Sequence, residues 1–299
     1  MGGTGKTPAC LLVADIFSKA GKRVAVISRG YRGRAKQKVN IVSDGNNILL
    51  NEEKAGDEPY LMAKKLKTIP VLTGRSRFLG GSYACDNFGV DVVVLDDGFQ
   101  HLGLERDLDI CLVNNSSGFG NGFILPRGTL REPLEAINRA DIFLITGSSL
   151  NNQYKIHESI AKCKKNPIVF RADYQVTYLR KIGNGEKLKG NYLKGKNVFA
   201  FSGIADPQSF ISQLQSLGAN VAGKYFFPDH HRYSKRDLEK VREKADKTDL
   251  IITTEKDGVK LEFEALIPGF AIFVLAISMK VENEDRFKAL ILSVFNMSH

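Results

Sequence analysis

Short apolar runs alternate with amphipathic segments along most of this chain. Arg23–Ser28, Val92–Leu95 and Ile142–Thr146 are mostly apolar, which is typical of strands buried on both faces of a parallel sheet. Between such runs, Thr7–Ala20 carries apolar side chains four residues apart and ends at Gly21, as an amphipathic helix does. Strands that alternate with helices predict an α/β protein with a parallel sheet covered by helices.

The same pattern predicts the other elements of the first half and a break after them. Helices are predicted at Asp57–Leu66 with Asp57 as N-cap, and at Arg75–Phe88, Arg131–Ala140 and Asn152–Lys164; strands at Ile69–Leu72, Asp109–Val113 and Ile168–Ala172; and a hairpin from Val39–Val42 and Asn47–Leu50. The stretch from 175 to 195 is polar and contains several glycines, and a second strand–helix series follows it. We therefore predict a sheet domain over 1–174, a β hinge over 175–195 and a smaller α/β domain over 196–299.

Composition and charge narrow the class of protein. The chain has 299 residues and a net charge of +10, with Arg29, Arg32, Arg34, Lys36 and Lys38 crowded into one stretch. This charge is consistent with a basic solvated surface or with an anionic partner, and the absence of a nucleic-acid-binding motif favours a small anion or a membrane surface. The four cysteines are scattered, which favours reduced thiols in the cytosol over disulfides or a zinc site. No apolar run reaches the roughly 20 residues of a membrane span.

The first seven residues contain the end of a phosphate-binding loop. Glycines leave backbone N–H groups free to surround phosphate oxygens, the lysine of a Gly-Lys-Thr sequence reaches the β- and γ-phosphates, and the threonine hydroxyl binds Mg²⁺. The predicted nucleotide-binding residues are Gly2, Gly3, Thr4, Gly5, Lys6 and Thr7. Because the amphipathic helix follows directly, we predict a P-loop NTPase-like sheet in the first domain.

A second nucleotide-site motif follows the strand Val92–Leu95. Asp96 and Asp97 come directly after it, as in a Walker B motif, in which a carboxylate binds Mg²⁺ directly or through water. Ligands of α/β sheets bind at the carboxyl ends of strands, which is where these two residues lie. We predict a Mg²⁺ site formed by Asp96, Asp97 and Thr7, although acidic residues also occur at strand ends for structural reasons.

Further polar residues are weaker candidates from sequence alone. Asp57 is either a helix N-cap or a general base that accepts a proton from an attacking hydroxyl. His230 is either structural or catalytic, and no third ligand at a suitable spacing supports a metal site at the pair His230 and His231. Arginine matches phosphate oxygens with two parallel hydrogen bonds. The candidates for phosphate or transition-state contacts are Arg77, His101, Arg127 and Arg131. The junction Thr253-Thr254-Glu255-Lys256-Asp257 is either a helix start or part of a site.

Several motifs together resemble the tetraacyldisaccharide 4′-kinase family. They occur in the family's order along essentially the whole chain: Gly2–Pro8, Ser28–Tyr31, Gly56–Pro59, Leu95–His101, Leu130–Pro133, Phe201–Ile204, Phe227–His230 and Thr253–Asp257. Of these, the sequences LDDGFQH, GDEP and FPDH are far more specific than the phosphate loop.

The resemblance implies an activity, cofactors and residue roles. It implies Mg²⁺- and ATP-dependent transfer of a phosphoryl group to the 4′-hydroxyl of a tetraacylated glucosamine disaccharide 1-phosphate, forming lipid IVA in lipid A biosynthesis. Lys6 and Thr7 then serve ATP and Mg²⁺, Asp96 and Asp97 form the Walker B site, and Asp57 is the base, polarised by His230. Arg77, His101, Arg131 and Glu132 line the region of phosphoryl transfer.

The resemblance also implies a location and an upstream segment. The family works at the cytoplasmic face of the inner membrane and usually carries an N-terminal anchor. We expect the gene to start before Met1, with the anchor, a strand and the first part of the loop upstream, and a peripheral protein in the present form. The lipid substrate and an anionic membrane surface are the expected partners, and nucleic acid is not. The alternatives are a partitioning-type ATPase switch, whose loop is similar, and an inactive remnant of the kinase.

Overall fold

The computed structural model describes residues 4–147, 153–261 and 271–297. Within these ranges the helices are α1 (Lys6–Lys19), α2 (Glu52–Ala55), α3 (Asp57–Lys65), α4 (Arg77–Phe88), α5 (Gln153–Cys163), α6 (Pro207–Ser216), α7 (Lys235–Lys244), α8 (Glu255–Leu261) and α9 (Glu284–Met297). The strands are β1 (Val24–Ser28), β2 (Asn40–Ser43), β3 (Val71–Thr73), β4 (Val92–Leu95), β5 (Ile110–Asn114), β6 (Ile142–Thr146), β7 (Ile168–Lys181), β8 (Lys187–Leu188), β9 (Asn197–Ser202), β10 (Asn220–Phe226), β11 (Leu250–Thr254) and β12 (Ile272–Val281). The predicted α/β class is confirmed.

A four-stranded sheet carries the first part of the site. Its order is β2-β3-β1-β4, with β1 parallel to both β3 and β4 and β2 antiparallel to β3. All five residues of β1 are buried, as their continuous apolar pattern predicts for a strand in the middle of a parallel sheet. The carboxyl ends of β1, β3 and β4 therefore lie together at one edge, followed by polar residues from each strand.

The remaining strands form a larger sheet of mixed direction. Its order is β10-β9-β11-β12-β7-β6-β5, and β8 pairs with β7. The long strand β7 runs parallel to β6 on one side and antiparallel to β12 on the other. It joins the strand–helix series before it to the series after it within one sheet. The predicted boundaries of the two domains and of the hinge remain predictions.

Helix α1 lies at the centre of the largest buried cluster. Its apolar side chains pack with those of β1, with Phe170 and with Phe287 of α9, so that both sheets contribute to this core. Phe170 and Phe287 meet edge to face with ring centroids 5.1 Å apart. The start of α1 is thereby fixed between the sheets. No helix in the described part of the chain is long and apolar enough to cross a membrane.

Four local predictions from the sequence are wrong in their details. Asp57 is not a helix N-cap, because α3 starts after Gly56 and Asp57 is its first residue. Residues 47–50 turn back along β2, with an isolated antiparallel bridge from Ile48 to Ser43 and a hydrogen bond from Leu49 to Val42, but they do not form a strand. The segment after Arg131 forms a short 3₁₀ turn at Leu134–Arg139, and the strand predicted at Ile168–Ala172 continues to Lys181 as β7. Antiparallel pairing with β12 extends β7 beyond its apolar stretch.

Candidate active site

The described part of the phosphate loop leads directly into α1. Gly5 precedes the helix with φ of 88°, a left-handed conformation that glycine adopts without strain. A Cβ atom at this position would collide with the Oη atom of Tyr174. Behind the loop, the Thr146 hydroxyl at the end of β6 donates a hydrogen bond of 3.1 Å to the carbonyl oxygen of Thr4. The first N–H groups of a helix have no intrahelical acceptor, which makes a helix start of this kind suited to binding an anion.

Gly2 and Gly3, which the sequence assigns to the nucleotide, lie outside the described residues. Lys6 and Thr7 occupy the first two positions of α1 and are half-buried. The Nζ atom of Lys6 lies 3.8 Å from Oδ1 of Asp97, which follows β4. The structure therefore brings the lysine of the phosphate loop beside the second aspartate of the Walker B sequence.

Asp97 is held by two cations at the edge of the sheet. Its backbone adopts φ of 52°, which is uncommon outside glycine and turns the side chain toward the loop. An Arg131 guanidinium nitrogen donates to Oδ2 at 2.9 Å, opposite the Lys6 contact at Oδ1. Burial acts to raise the pKa of Asp97, but the charges of Lys6 and Arg131 outweigh it and hold the pKa below its usual value.

Asp96 differs from its neighbour because it is buried and short of partners. The Ser28 hydroxyl, at the end of β1, donates to Oδ2 at 2.9 Å, while Oδ1 has no hydrogen-bond partner among the described residues. Burial raises the pKa of Asp96 to about 6, and the nearby carboxylate of Glu58 acts in the same direction. A buried carboxylate oxygen without a partner is costly unless a cation binds it.

These residues fit a Mg²⁺ ion. Mg²⁺ binds through oxygen atoms and usually takes one or two carboxylates, with water and substrate phosphates completing its shell. The described residues include no cluster of three or more His, Cys, Asp or Glu side chains suited to a metal. The oxygen atoms that could bind the ion are the unpartnered Oδ1 of Asp96 and the hydroxyl of Thr7. Two protein ligands suit an ion that also binds a nucleotide, rather than an ion bound by protein ligands alone.

A second pair of residues lies near this edge and comes from distant parts of the chain. Oδ2 of Asp57, at the start of α3, is 3.1 Å from Nδ1 of His230, in the turn after β10. His230 adopts φ of 62°, and Arg32 donates to the backbone carbonyl of Asp229 at 3.2 Å, which holds this turn against the first sheet. The ring of Tyr31 packs edge-on against the imidazole at 5.5 Å.

The electrostatic surroundings of Asp57 favour its ionised form. Burial acts to raise the pKa of Asp57, but the hydrogen bond from His230 and the charges of Lys260 and Lys256 bring the pKa below its usual value. An ionised carboxylate with one oxygen near a histidine can accept a proton from a bound hydroxyl group.

The five remaining site candidates are placed in different ways. Arg77 is buried at the start of α4 and donates to the carbonyl of Gly74 at 3.0 Å. Burial lowers the pKa of Arg77, and the negative charges of Asp96 and Asp97 act in the opposite direction. Arg131 contacts Asp97, as described above. Glu132 accepts hydrogen bonds from Gln100 at 2.8 Å and Arg139 at 2.6 Å. His101 closes a turn with its backbone N–H on Gly98, and its carbonyl accepts from Arg106. Arg127 stacks on the Phe123 ring, at 3.8 Å from its centroid.

A cavity of about 890 Å³ adjoins the cluster. Lys6, Asp96 and Asp97 contribute polar atoms to its wall, and apolar side chains from β4 and β5 line much of the rest. Since β4 pairs with β1 and β5 with β6, these two strands face each other across the cavity without pairing.

Three residues that contact this site had no individual role in the sequence-based predictions, although Ser28 and Lys256 lie in segments named above. Ser28 was noted only as part of a motif, yet it positions Asp96. Lys256 and Lys260 on α8 lie within 3.6 Å of His230 and Asp57. Lys256 and Lys260 are four residues apart just after a predicted strand, which places both on one side of a helix. The sequence did not show that this helix, α8, faces α3.

The fold and the cluster define the class of the protein. A glycine-lined helix start, a lysine at its first position and aspartates at the end of the adjacent strand are the features of P-loop nucleotide-binding proteins. The model of the family Tetraacyldisaccharide-1-P 4′-kinase matches residues 1–296, and the chain belongs to this family.

Named relatives and a solved structure agree with this assignment. The chain is 42% identical over 304 residues to the tetraacyldisaccharide 4′-kinase of Syntrophus aciditrophicus, covering 98% of this chain and 81% of that protein. It is 39% identical over 297 residues to that of Desulfatibacillum aliphaticivorans, covering 96% and 79%. A crystal structure of LpxK from Aquifex aeolicus in complex with ATP superposes with a TM-score of 0.76 at 34% identity, over 99% of this chain and 85% of that chain. The partitioning-type ATPase alternative is not favoured.

Proposed function

We propose that this protein transfers the γ-phosphoryl group of ATP to the 4′-hydroxyl of a tetraacylated glucosamine disaccharide 1-phosphate, forming lipid IVA in lipid A biosynthesis. The observation that carries the proposal is the contact between Asp57 and His230 beside the Lys6, Asp96 and Asp97 cluster. This arrangement joins a base for an alcohol to a site for nucleotide phosphates, as a kinase with a hydroxyl acceptor requires.

The cluster around α1 would hold the donor. Lys6 and the N–H groups of the helix start bind the β- and γ-phosphates, and Arg131 adds positive charge beside Asp97. Thr7 and Asp96 would hold Mg²⁺, with Asp97 in its outer shell. When bound, the ion neutralises charge on the β- and γ-phosphate oxygens.

The pair on α3 and after β10 would activate the acceptor. Asp57 takes the proton of the 4′-hydroxyl as its oxygen bonds to the γ-phosphorus. The bond from the γ-phosphorus to the oxygen that bridges it to the β-phosphorus breaks, and ADP leaves with that electron pair. His230 orients the Asp57 carboxylate through its Nδ1 contact of 3.1 Å. His101 and Glu132 act around the transferred group, in line with their place in the family's motifs, and Arg77, on which the charges of Asp96 and Asp97 act, joins them there.

Because Asp57 and His230 come from opposite sides of the 175–195 stretch, we infer that motion between the parts 1–174 and 196–299 makes and breaks this contact. Such closure would keep water from the transferred phosphoryl group until the acceptor is bound. Distances between labels on the two parts, measured with and without a non-hydrolysable ATP analogue, test this inference, and an unchanged distance contradicts it.

We infer that the protein binds an anionic membrane surface at the cytoplasmic face of the inner membrane as a peripheral protein. The support is the net charge of +10 and the stretch containing Arg29, Arg32, Arg34, Lys36 and Lys38, in which Tyr31 is 60% exposed. Sedimentation with vesicles of anionic and of zwitterionic lipids tests the inference. Binding to anionic vesicles that weakens with salt supports it, and equal binding to both contradicts it.

The substrate experiment compares two acceptors. The protein is incubated with ATP, Mg²⁺ and either the tetraacylated disaccharide 1-phosphate or the same compound with its 4′-hydroxyl methylated. Phosphate incorporation into the first alone supports the proposal. Incorporation into both contradicts the 4′ position, and incorporation into neither, with ATP still bound, supports an inactive remnant.

A further inference from the structure

Two lysines on α8 point at the proposed base and its histidine. Lys256 and Lys260 are four residues apart and therefore lie on the same side of the helix. The Nζ atom of Lys256 is 3.1 Å from Nε2 of His230, and that of Lys260 is 3.6 Å from Oδ2 of Asp57. Their side chains are 17% and 6% exposed, so both ammonium groups are largely shielded from water.

The Lys256 contact determines which nitrogen of His230 carries the proton. An ammonium group has three donors and no acceptor, so a hydrogen bond from Lys256 requires a lone pair on Nε2. The ring is then neutral with its proton on Nδ1, from which it donates to Asp57. Asp229 and Glu58 each place a carboxylate oxygen 3.3 Å from Nζ of Lys256 and hold it there. An oxygen of Asp229 is 3.8 Å from Nε2, beyond hydrogen-bond distance.

Lys260 is fixed by a buried carboxylate. Asp257 is fully buried, and its Oδ1 lies 2.9 Å from Nζ of Lys260. Its Oδ2 accepts hydrogen bonds from the backbone N–H of Gly203 at 3.0 Å and from the hydroxyl of Thr254 at 2.7 Å. Lys260 also donates to the carbonyl of His231 at 3.0 Å. The ammonium group is therefore held at one place beside Asp57.

We propose that Lys256 and Lys260 are positioning residues for the pair Asp57 and His230. Lys256 fixes His230 as the tautomer that carries its proton on Nδ1, and Lys260 keeps Asp57 ionised. The sequence Thr253–Lys260 is thus part of the site and more than a helix start. The kinetic consequences of this proposal rest on the proposed function, whereas its consequence for the His230 tautomer does not.

The charged groups that face Asp57 in the described part of the chain come from two directions. His230 approaches from the turn after β10, and Lys256 and Lys260 approach from α8. Three carboxylates pair with these lysines, Asp257 with Lys260, and Glu58 and Asp229 with Lys256, so they offset part of the positive charge. Burial acts to raise the pKa of Asp57, and the hydrogen bond from His230 together with the charges of Lys260 and Lys256 still brings the pKa below its usual value.

The tautomer is measured by ¹⁵N NMR on protein labelled in its histidine rings, with His230→Ala used to assign the signals. In the unchanged protein we expect the His230 ring to show a protonated Nδ1 and an unprotonated Nε2. Lys256→Met should move the proton toward Nε2, and Lys256→Arg, which keeps donors, should preserve the Nδ1 proton. Lys240→Met, at an exposed position of α7, is the matched control and should change nothing.

Either of two results would overturn the role of Lys256. One is an Nε2–H tautomer in the unchanged protein, and the other is an Nδ1–H tautomer that persists in Lys256→Met. This measurement needs no phosphoryl transfer. If the protein does not transfer phosphate as proposed, the spectra are still as expected. If the spectra show the other tautomer, kinase activity is still present.

Kinetics test whether the lysines act through the pair. We expect Lys256→Met to lower kcat by about 10- to 100-fold, the value of a hydrogen bond to a charged group, with the KM values for ATP and acceptor within about twofold. Lys256→Arg should recover most of the rate. In a His230→Ala background the Lys256→Met change should have no further effect. An equal loss in both backgrounds would show that Lys256 acts elsewhere.

The role of Lys260 has its own readout. Without its charge the pKa of Asp57 rises, so the acidic limb of the pH–rate profile of Lys260→Met should move up by about one pH unit at saturating Mg²⁺. Lys260→Arg should keep the limb where it is. If Lys260→Met lowers the rate equally at every pH, Lys260 is structural and this part of the proposal is wrong.

Discussion

Nδ1 of His230 lies 3.1 Å from Oδ2 of Asp57, although 173 positions separate the two residues in the chain. The contact joins the start of α3, beside the first sheet, to the turn after β10 in the second. It places a proton acceptor at a point reached from both parts of the chain. Its meaning depends on the neighbouring cluster of Lys6, Asp96 and Asp97, which supplies a place for nucleotide phosphates.

We predict that His230→Ala and Asp57→Asn are not additive. His230 acts through Asp57, so its loss should lower kcat by about 10- to 100-fold, less than the loss of the base itself. The double variant should be no slower than Asp57→Asn alone, because residues that act as a unit do not contribute independently. Single-turnover rates at saturating ATP are measured for the two single variants and for the double variant. Rates that fall by the product of the two single effects would contradict a joint role.

The acidic limb of the pH–rate profile should depend on Mg²⁺. In the proposed site, Mg²⁺ binds the ionised form of Asp96, whose pKa burial raises to about 6. Activity at limiting Mg²⁺ should therefore fall as the pH drops through about 6. Raising the Mg²⁺ concentration should shift the limb to lower pH, because the ion competes with the proton. Asp57, whose pKa lies below its usual value, stays ionised throughout this range. If the position of the acidic limb does not change with the Mg²⁺ concentration, the limb reports the ionisation of a group other than Asp96.

Asp96→Asn should stabilise the protein in the absence of metal. The pKa of Asp96 is raised above its usual value of 3.8 to about 6, so the folded state binds this proton more tightly than the unfolded state. The resulting destabilisation is absent below pH 4, grows between pH 4 and 6, and is constant above, with an upper limit of about 3 kcal/mol.

Thermal or urea unfolding of both proteins at pH about 4 and about 8 measures this effect. Asp96→Asn should gain about 1–3 kcal/mol at the higher pH and little at the lower, while losing Mg²⁺-dependent activity. Asp246→Asn, at an exposed position, is the control and should be neutral at both. An equal gain at both pH values would show that the charge of Asp96 is not its cause.

Gly5→Ala should destabilise the protein and weaken ATP binding. Its φ of 88° strains any other residue, and the added Cβ would strike Oη of Tyr174. Gly21→Ala is a matched control, because Gly21 has φ of 78° but nothing within 4 Å of an added Cβ. Gly21→Ala should therefore cost only the backbone strain, about 1–2 kcal/mol.

Unfolding free energies and calorimetric titration with ATP separate the two effects. The Gly5 variant should lose more stability than the Gly21 variant, and it alone should lose ATP affinity. Similar losses of stability in the two variants would mean that the loop moves to accommodate the added methyl group.

The sequence predicts elements whose signals are local. The strand Val92–Leu95 was predicted with its observed bounds, and the aspartates after it do lie at the carboxyl end of the sheet. By contrast, the segment 47–50 has the pattern of a strand but makes only an isolated bridge to β2, and β2 finds its strand partner in β3, from another part of the chain. Pairing partners are set by tertiary packing, which a single sequence does not display.

The site shows the same division between local and tertiary information. Lys6, Asp96 and Asp97 belong to motifs whose spacing encodes their chemistry. The roles of Ser28, Lys256 and Lys260 depend on which elements pack together, and nothing in their spacing gives the distances to Asp96, His230 and Asp57. The unpartnered oxygen of Asp96 likewise follows from burial between strands and becomes visible only in the folded protein.

In the proposed mechanism Asp57 accepts the proton of the 4′-hydroxyl during transfer from ATP. Single-turnover transfer of radiolabelled γ-phosphate to the disaccharide 1-phosphate, by the unchanged protein and by Asp57→Asn, tests this role when ATP affinity is measured for both. We expect equal ATP affinity and a rate at least about 100-fold lower for Asp57→Asn. Transfer by Asp57→Asn at the rate of the unchanged protein would show that Asp57 is not the base.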